Sequence, residues 1–77
     1  MITIEQIKVD NQGIFVNDEQ VCRFSHDGRF FTAAQAFRHK GWYITSFGRG
    51  SLDLYFIDER IDVVLEIVCG EIEVRIY

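Results

Sequence analysis

The sequence has no proline, only two cysteines and no unbroken apolar stretch longer than the four residues from Leu54 to Ile57. A transmembrane helix needs about 20 consecutive apolar residues, so the chain offers no candidate for one. The N-terminus lacks the charged and then apolar residues of a secretory signal, and we expect a cytoplasmic protein. Because thiols stay reduced in that compartment, we interpret Cys22 and Cys69 as small hydrophobic residues.

The composition that remains is that of a small folded domain. Hydrophobic residues make up 48% of the 77 positions and aromatic residues 14%, which excludes an intrinsically disordered chain. Area scaling indicates that folding buries only about 63% of the surface of so short a chain. We therefore expect one domain, residues 1–77, that gains stability from a partner subunit or a metal ion.

Charge is distributed unevenly along the chain. The net charge is −4, but residues 1–20 carry one lysine against four acids. Residues 21–52 carry five cations against one acid, and residues 53–77 carry two arginines against seven acids. A basic middle between two acidic ends indicates where a partner would bind.

Turn signals divide the first half of the chain into short strands. Asp10 to Gly13, Asn17 to Gln20 and the pair Asp27-Gly28 separate apolar stretches, and Asp-Gly is typical of a hairpin turn. The alanine-rich segment 33–40 then predicts a helix, with Thr32 and Gln35 as a capping box and Gly41 as the C-terminal residue. The predicted fold class is α+β: a single small domain, mainly an antiparallel β-meander, with this one short α-helix between two sheet segments.

The second half of the chain predicts a four-stranded meander. Placing turns at Arg49, at Glu59-Arg60 and at Cys69-Gly70 brings apolar residues together on one face, because paired residues of neighbouring strands point the same way. That face contains Tyr43, Thr45, Phe47, Leu52, Leu54, Phe56, Val63, Leu65, Ile67, Ile72, Val74 and Ile76. The spacing within residues 59–69 also fits a helix, but the density of valine and isoleucine favours a strand.

The opposite face of this meander carries a second apolar patch, formed by Trp42, Ile44, Tyr55, Ile57 and Val64. The N-terminal strands, a second copy of the chain or a small molecule are the three alternatives for what covers it. Large exposed apolar patches usually mark association sites. We therefore expect a small, non-catalytic binding or interaction protein of unassigned role. It self-associates as a homodimer through these five residues, and another protein partner is also possible.

The basic segment 23–49 predicts an alternative function, nucleic-acid binding. Its cations alternate with aromatic residues, and this combination neutralises phosphates and stacks on bases. The candidate contacts are Arg23, Arg29, Arg38, Lys40 and Arg49. Packing of this segment beside the acidic C-terminal hairpin, within one chain or across a dimer, is the simpler interpretation.

No pattern predicts catalysis, a metal ion or a cofactor. Cys22, His26, His39 and Cys69 are the only soft metal ligands, and their spacing is not that of a structural zinc site. Cys69, at a proposed turn, would be the more reactive thiol. The segment Gly48-Arg49-Gly50-Ser51 lacks the elements of a phosphate-binding Walker loop and is interpreted as a hairpin turn.

Overall fold

Eight strands form two four-stranded antiparallel sheets in the computed structural model, which describes all 77 residues. The first sheet contains β1 (Ile7–Asp10), β2 (Gly13–Val16), β3 (Glu19–His26) and β4 (Phe31–Ala36). The second contains β5 (Trp42–Gly48), β6 (Ser51–Phe56), β7 (Ile61–Val68) and β8 (Glu71–Ile76). The helical segments are two three-residue 3-10 turns, Ile4–Gln6 and Arg38–Lys40, and neither has the length or apolarity to cross a membrane.

The predicted α-helix over residues 33–40 is wrong, and so is the α+β class, because strands hold 64% of the residues and the 3-10 turns 8%. The alanines belong to β4, where Ala34 lies opposite Phe24 and Ala36 opposite Cys22. An isolated two-turn helix is marginal because nucleation is costly. Without β4, moreover, β3 would leave a row of backbone groups unpaired. Pairing with β3 therefore overrides the helix propensity of alanine, and only the 3-10 turn before Gly41 is helical.

The structure confirms the predicted face of β6, β7 and β8 and the predicted register of β7 against β8, where Val68 lies opposite Glu71. The β6–β7 register differs from the prediction by two residues, because the turn between these strands contains residues 57–60 and not Glu59-Arg60 alone. Leu54 lies opposite Val63, and Leu65 lies opposite both Leu52 and Val74. Residues 61–68 form a strand, as the valine and isoleucine content indicates. The four residues of β6 and β7 that are buried without any exposed surface all lie on the predicted apolar face: Leu52, Leu54, Val63 and Leu65.

The predicted face of β5 is half wrong, because this strand contains a bulge. Ile44 pairs with Leu54 and Ser46 pairs with Asp53, so Thr45 is an extra residue on β5. An extra residue reverses the side-chain alternation on one side of the bulge. Trp42 and Ile44 consequently face the core, whereas Tyr43 points away from it.

Both sheets contribute to a single hydrophobic core, so the first sheet covers the inner face of the second. The first sheet supplies six of the buried side chains: Ile14, Val16, Val21, Cys22, Phe24 and Phe31. The second supplies five: Trp42, Leu52, Leu54, Val63 and Leu65. The edge strands β4 and β5 lie side by side where the chain passes from one sheet to the other. We call the line between them the seam.

Candidate functional site

The seam is closed at its two ends and open in the middle. At one end the Phe31 N–H donates a hydrogen bond of 3.1 Å to the Arg49 carbonyl. At the other end the Trp42 N–H donates to the Phe37 carbonyl at 3.4 Å. Between these bonds lies an open cleft of about 580 Å³, a volume in the range of small-ligand sites. The cleft is lined by Arg23, Ala34, Gln35, Ala36, Phe37, Arg38, His39 and Ile44.

Backbone groups of both edge strands point into the seam. The Phe37 N–H donates to the Val21 carbonyl, and in an antiparallel ladder the bonded and non-bonded pairs alternate from there. The N–H and C=O groups of Ala34 and Ala36 therefore point away from β3 and toward β5. By the same alternation from the bond between Ile57 and Gly41, those of Ile44 point toward β4. A ligand in the cleft meets backbone donors and acceptors as well as side chains.

Phe37 is the centre of a basic cluster at one end of the cleft. The Arg23 guanidinium lies 5.9 Å from the centre of its ring, and the Lys40 ammonium lies 5.7 Å from it. The imidazole of His39 stacks on Phe37 with 5.8 Å between ring centres. We call Arg23, Phe37, Arg38, His39 and Lys40 the Phe37 cluster. It contains three of the five predicted cations.

Only one cation of the Phe37 cluster is paired with a carboxylate. Lys40 forms an ion pair with Glu19, and this hydrogen bond and positive charge lower the pKa of the Glu19 carboxyl. The other ion pairs of the chain join Lys8 to Asp18, Arg75 to Glu66, and the N-terminus to Glu59. Arg23 and Arg38 have no acidic partner. The predicted packing of the basic segment against the acidic C-terminal hairpin does not occur at these two residues.

The two remaining predicted cations lie at the other end of the seam. Arg29 lies over the ring of Phe30, 5.7 Å from its centre, and Arg49 occupies the β5–β6 turn beside Phe31. The Asp27 carboxylate accepts hydrogen bonds from the backbone N–H groups of Phe30 and Arg29, which lower its pKa. The Asp27 side chain therefore fixes the turn that presents Arg29 and Phe30. We call Arg29, Phe30 and Arg49 the Phe30 cluster.

The predicted interface residues do not form one surface. Trp42 is 2% exposed and stacks on Phe56 with 4.6 Å between ring centres, so the prediction that it belongs to an exposed patch is wrong. Ile44 lines the cleft, and Ile57 is half exposed in the β6–β7 turn. Only Tyr55 and Val64 lie on the outer face of the second sheet. The bulge at Thr45 explains the error, because it turns Trp42 and Ile44 inward.

The outer face of the second sheet is acidic and carries tyrosines. The register aligns Tyr43, Tyr55, Asp62 and Tyr77 in a row across the four strands. The remaining charged residues of this face are Asp53, Glu66, Glu71, Glu73 and Arg75. This surface and the Phe37 cluster therefore have opposite charge.

The thiols and imidazoles are dispersed. Cys22 lies in the core opposite Ile14, because Val21 is an extra residue of β3 in the β2–β3 pairing. Burial raises the pKa of the Cys22 thiol to about 11. Cys69 is exposed in the β7–β8 turn. His26 accepts a hydrogen bond from the Gly28 N–H at Nδ1 and lies beside Phe24 and Phe31. No three histidine, cysteine or acidic side chains are grouped as metal ligands.

Comparison with protein family models, with curated proteins and with solved structures finds no match for this chain. The evidence that the cleft is a functional site therefore comes from its geometry alone. Sequence reasoning identified its cations but missed the contribution of Gln35, Ala34, Ala36 and the backbone, because it placed these residues on a helix. The signal that could have found them is the run of small residues that directly follows the Asp27-Gly28 hairpin turn.

Proposed function

We propose that this protein is a non-catalytic binding protein and that the cleft in the seam receives an anionic ligand. The observation that supports this most strongly is the pair of guanidinium groups, Arg23 and Arg38, which line the cleft without a carboxylate partner. Planar guanidinium groups bind carboxylates and phosphates through two parallel hydrogen bonds. No acidic side chain lines the cleft to oppose such a ligand.

A binding role without catalysis fits the state of the buried thiol, Cys22. The Cys22 side chain lies in the core, and its raised pKa of about 11 keeps it protonated near neutral pH. A protonated thiol is a poor nucleophile. A cytoplasmic location is part of this proposal and is supported by the two free thiols.

Binding of tripolyphosphate, measured by isothermal titration calorimetry at low salt, tests this function. We expect one site, and we expect Arg23→Gln and Arg38→Gln each to weaken binding by about tenfold, which is about 1.4 kcal/mol. The matched control is Arg60→Gln, which removes the same charge from the exposed β6–β7 turn and should change the affinity less than twofold. Equal losses in all three variants would mean that only the overall charge matters, and the cleft would not be the site.

Self-association through the outer face of the second sheet is a second candidate role. It is supported by Tyr55 and Val64, the two predicted interface residues that lie on that face, and by their neighbour Tyr43. The acidic residues of the face oppose a symmetric contact. In such a dimer the same face of both copies meets, so the acids of one copy would approach and repel those of the other. Light scattering tests this role: a dimer that Tyr55→Glu dissociates would support it. A particle of 9.0 kDa at micromolar concentration would exclude it.

A further inference from the structure

The strand between the two basic clusters has small side chains. Residues 32–36 are Thr-Ala-Ala-Gln-Ala, although alanine is depleted in strands because it contributes little packing there. Thr32, Ala33 and Gln35 are exposed. Residues 32–36 therefore form a shallow surface, which we call the floor. It extends along β4 from the Phe30 cluster to the Phe37 cluster, and an elongated ligand can lie on it.

The two ends of this floor have the same chemistry. The Phe37 cluster combines an aromatic ring with Arg23, Arg38 and His39. The Phe30 cluster combines Arg29 and Arg49 with a ring that is 45% exposed, and Phe47, 44% exposed, lies two residues before Arg49. Cations bind phosphates, and exposed rings beside them, here those of Phe30 and His39, stack on bases.

The separation of the clusters fits a short single strand. Phe30 and Phe37 lie seven residues apart, and Thr32 between them is the extra residue of the β3–β4 bulge. Without that residue the separation corresponds to roughly 20 Å at about 3.3 Å per residue. Stacked nucleotides rise about 3.4 Å each, so about six nucleotides span this distance. Single-strand binding sites on small β-domains cover about 4–16 nucleotides.

Most acidic residues of the chain lie away from this path. The exceptions are Asp27, whose carboxylate accepts hydrogen bonds from the backbone N–H groups of Arg29 and Phe30, and Glu19, which is paired with Lys40. Asp53, Asp62, Glu66 and Glu73 lie on the outer face of the second sheet, whereas Arg23 and Gln35 belong to the first sheet. The core separates the two outer faces. A polyanion that approaches β4 therefore meets more cations than acids, in spite of the net charge of −4.

We infer that the anionic ligand of the cleft is single-stranded nucleic acid lying along β4, an inference that rests on the function proposed above. One nucleotide occupies the Phe37 cluster, with its two flanking phosphates at Arg23 and Arg38 and its base against the rings of Phe37 and His39. The strand then follows residues 32–36, and a second base stacks at Phe30 beside Arg29 and Arg49.

An acidic peptide fits less well, because the usual way for a peptide to use a strand edge is to add a strand. Both ends of the seam are closed by backbone hydrogen bonds, from Phe31 to Arg49 and from Trp42 to Phe37. The free edge between these bonds is too short for a ladder. A peptide would also leave the exposed ring of Phe30 without a stacking partner.

The test is fluorescence anisotropy with labelled oligothymidylates of three and eight nucleotides at about 50 mM salt. We expect the octamer to bind at least tenfold more tightly than the trimer, because only the octamer reaches both clusters. With four phosphates neutralised by arginines, the logarithm of its affinity should fall against the logarithm of salt concentration with a slope of about −2.8. Equal affinity for the two lengths would overturn the inference.

Variants separate stacking from charge. Phe30→Leu should lower octamer affinity about fivefold and leave tripolyphosphate binding unchanged, whereas the matched control Tyr43→Leu, on the outer face of the second sheet, should have no effect. Arg29→Gln should reduce the magnitude of the salt slope by about 0.7 and provides a second variant if Phe30→Leu does not fold. An unchanged octamer affinity in Phe30→Leu together with an unchanged slope in Arg29→Gln would contradict the path along β4.

Octaglutamate distinguishes the two levels of the proposal. If it binds as tightly as the thymidine octamer, the ligand is not specifically nucleic acid, and the inference fails while the anion site stands. If tripolyphosphate binds and the octamer does not, the inference also fails and the anion site also stands. If none of the three probes binds, the proposed function itself fails.

Discussion

The two sheets have the same number of strands and the same order, yet they are built differently. In the second sheet β6, β7 and β8 pair without a register shift, and apolar and polar residues alternate along them. Its one bulge, at Thr45, is confined to the edge strand β5. In the first sheet a bulge interrupts both the β2–β3 and the β3–β4 pairing. The regular sheet supplies the fully buried leucines of the core. The irregular sheet supplies the cleft, since its edge strand carries small residues between two basic clusters.

The irregular pairing of β2 with β3 depends on a single glycine. Gly13 in β2 has a φ of 152°, and a Cβ built there would lie 2.1 Å from the Cys22 carbonyl oxygen. Gly48 in β5 has no heavy atom within 4 Å of the corresponding position. The two glycines form a matched pair for comparing the sheets.

The largest effect is expected for Gly13→Ala. The added methyl group collides with backbone that cannot move aside cheaply, so we expect a loss of about 3 kcal/mol in the free energy of unfolding. Gly48→Ala should be neutral or stabilise by up to about 1 kcal/mol, because it restricts the unfolded chain. Urea denaturation of both variants measures the difference. Similar losses in the two would contradict the contrast between the sheets.

The next largest effect is a dependence of stability on pH that comes from Cys22. Burial raises the pKa of its thiol from 9.0 to about 11 in the folded state, so the folded state retains this proton more strongly than the unfolded state. The stabilisation that the protonated Cys22 thiol gives the folded state is complete below pH 9 and is lost as the pH rises to about 11. We expect the free energy of unfolding to decrease by about 2 kcal/mol across this pH interval, and we expect this decrease to be absent in Cys22→Val.

The cysteine of the second sheet provides the control for this prediction. Cys69 is exposed in its turn and should react with a thiol reagent at pH 8 in the native protein, whereas Cys22 should react only after unfolding. Mass spectrometry after a short exposure counts the modified thiols. Rapid native modification of Cys22 would show that this part of the first sheet opens readily, and the raised pKa would then not apply.

The smallest effect is expected on β4. Ala33 is exposed opposite Ser25, and Ala33→Val should stabilise the protein by up to about 1 kcal/mol, since valine favours strands. Val64→Ala, on the outer face of the second sheet, should destabilise by a similar amount. A loss of stability in Ala33→Val would mean that β4 needs small residues for folding, and clearance for a ligand would no longer explain them.

How far the sequence predicts this fold follows from the same contrast. The faces of β6 to β8 could be predicted because alternation and turn residues agree there. Residues 33–36 could not, because alanine favours a helix locally and only the unpaired edge of β3 requires a strand. The bulge at Thr45 has no marker in the sequence, and the faces assigned to Trp42 and Ile44 were therefore wrong.

The site was predictable in part for a related reason. The charge pattern identifies Arg23, Arg38 and Lys40 as candidate contacts for an anion. It does not reveal that Glu19 pairs with Lys40 alone, or that β4 and β5 separate between two backbone hydrogen bonds. Those features arise from contacts between residues distant in the chain. The second cluster, with Arg29 and Arg49, is brought to the same seam by the same contacts.

The most direct test of the central claim is an amide NMR titration of the labelled protein with the thymidine octamer. The account predicts that the largest shifts occur at Arg23, at residues 29–39, at Ile44 and at Arg49, while the amides of Val64 and Arg75 on the acidic face stay in place. Shifts concentrated on the outer face of the second sheet, or spread evenly over both sheets, would contradict it.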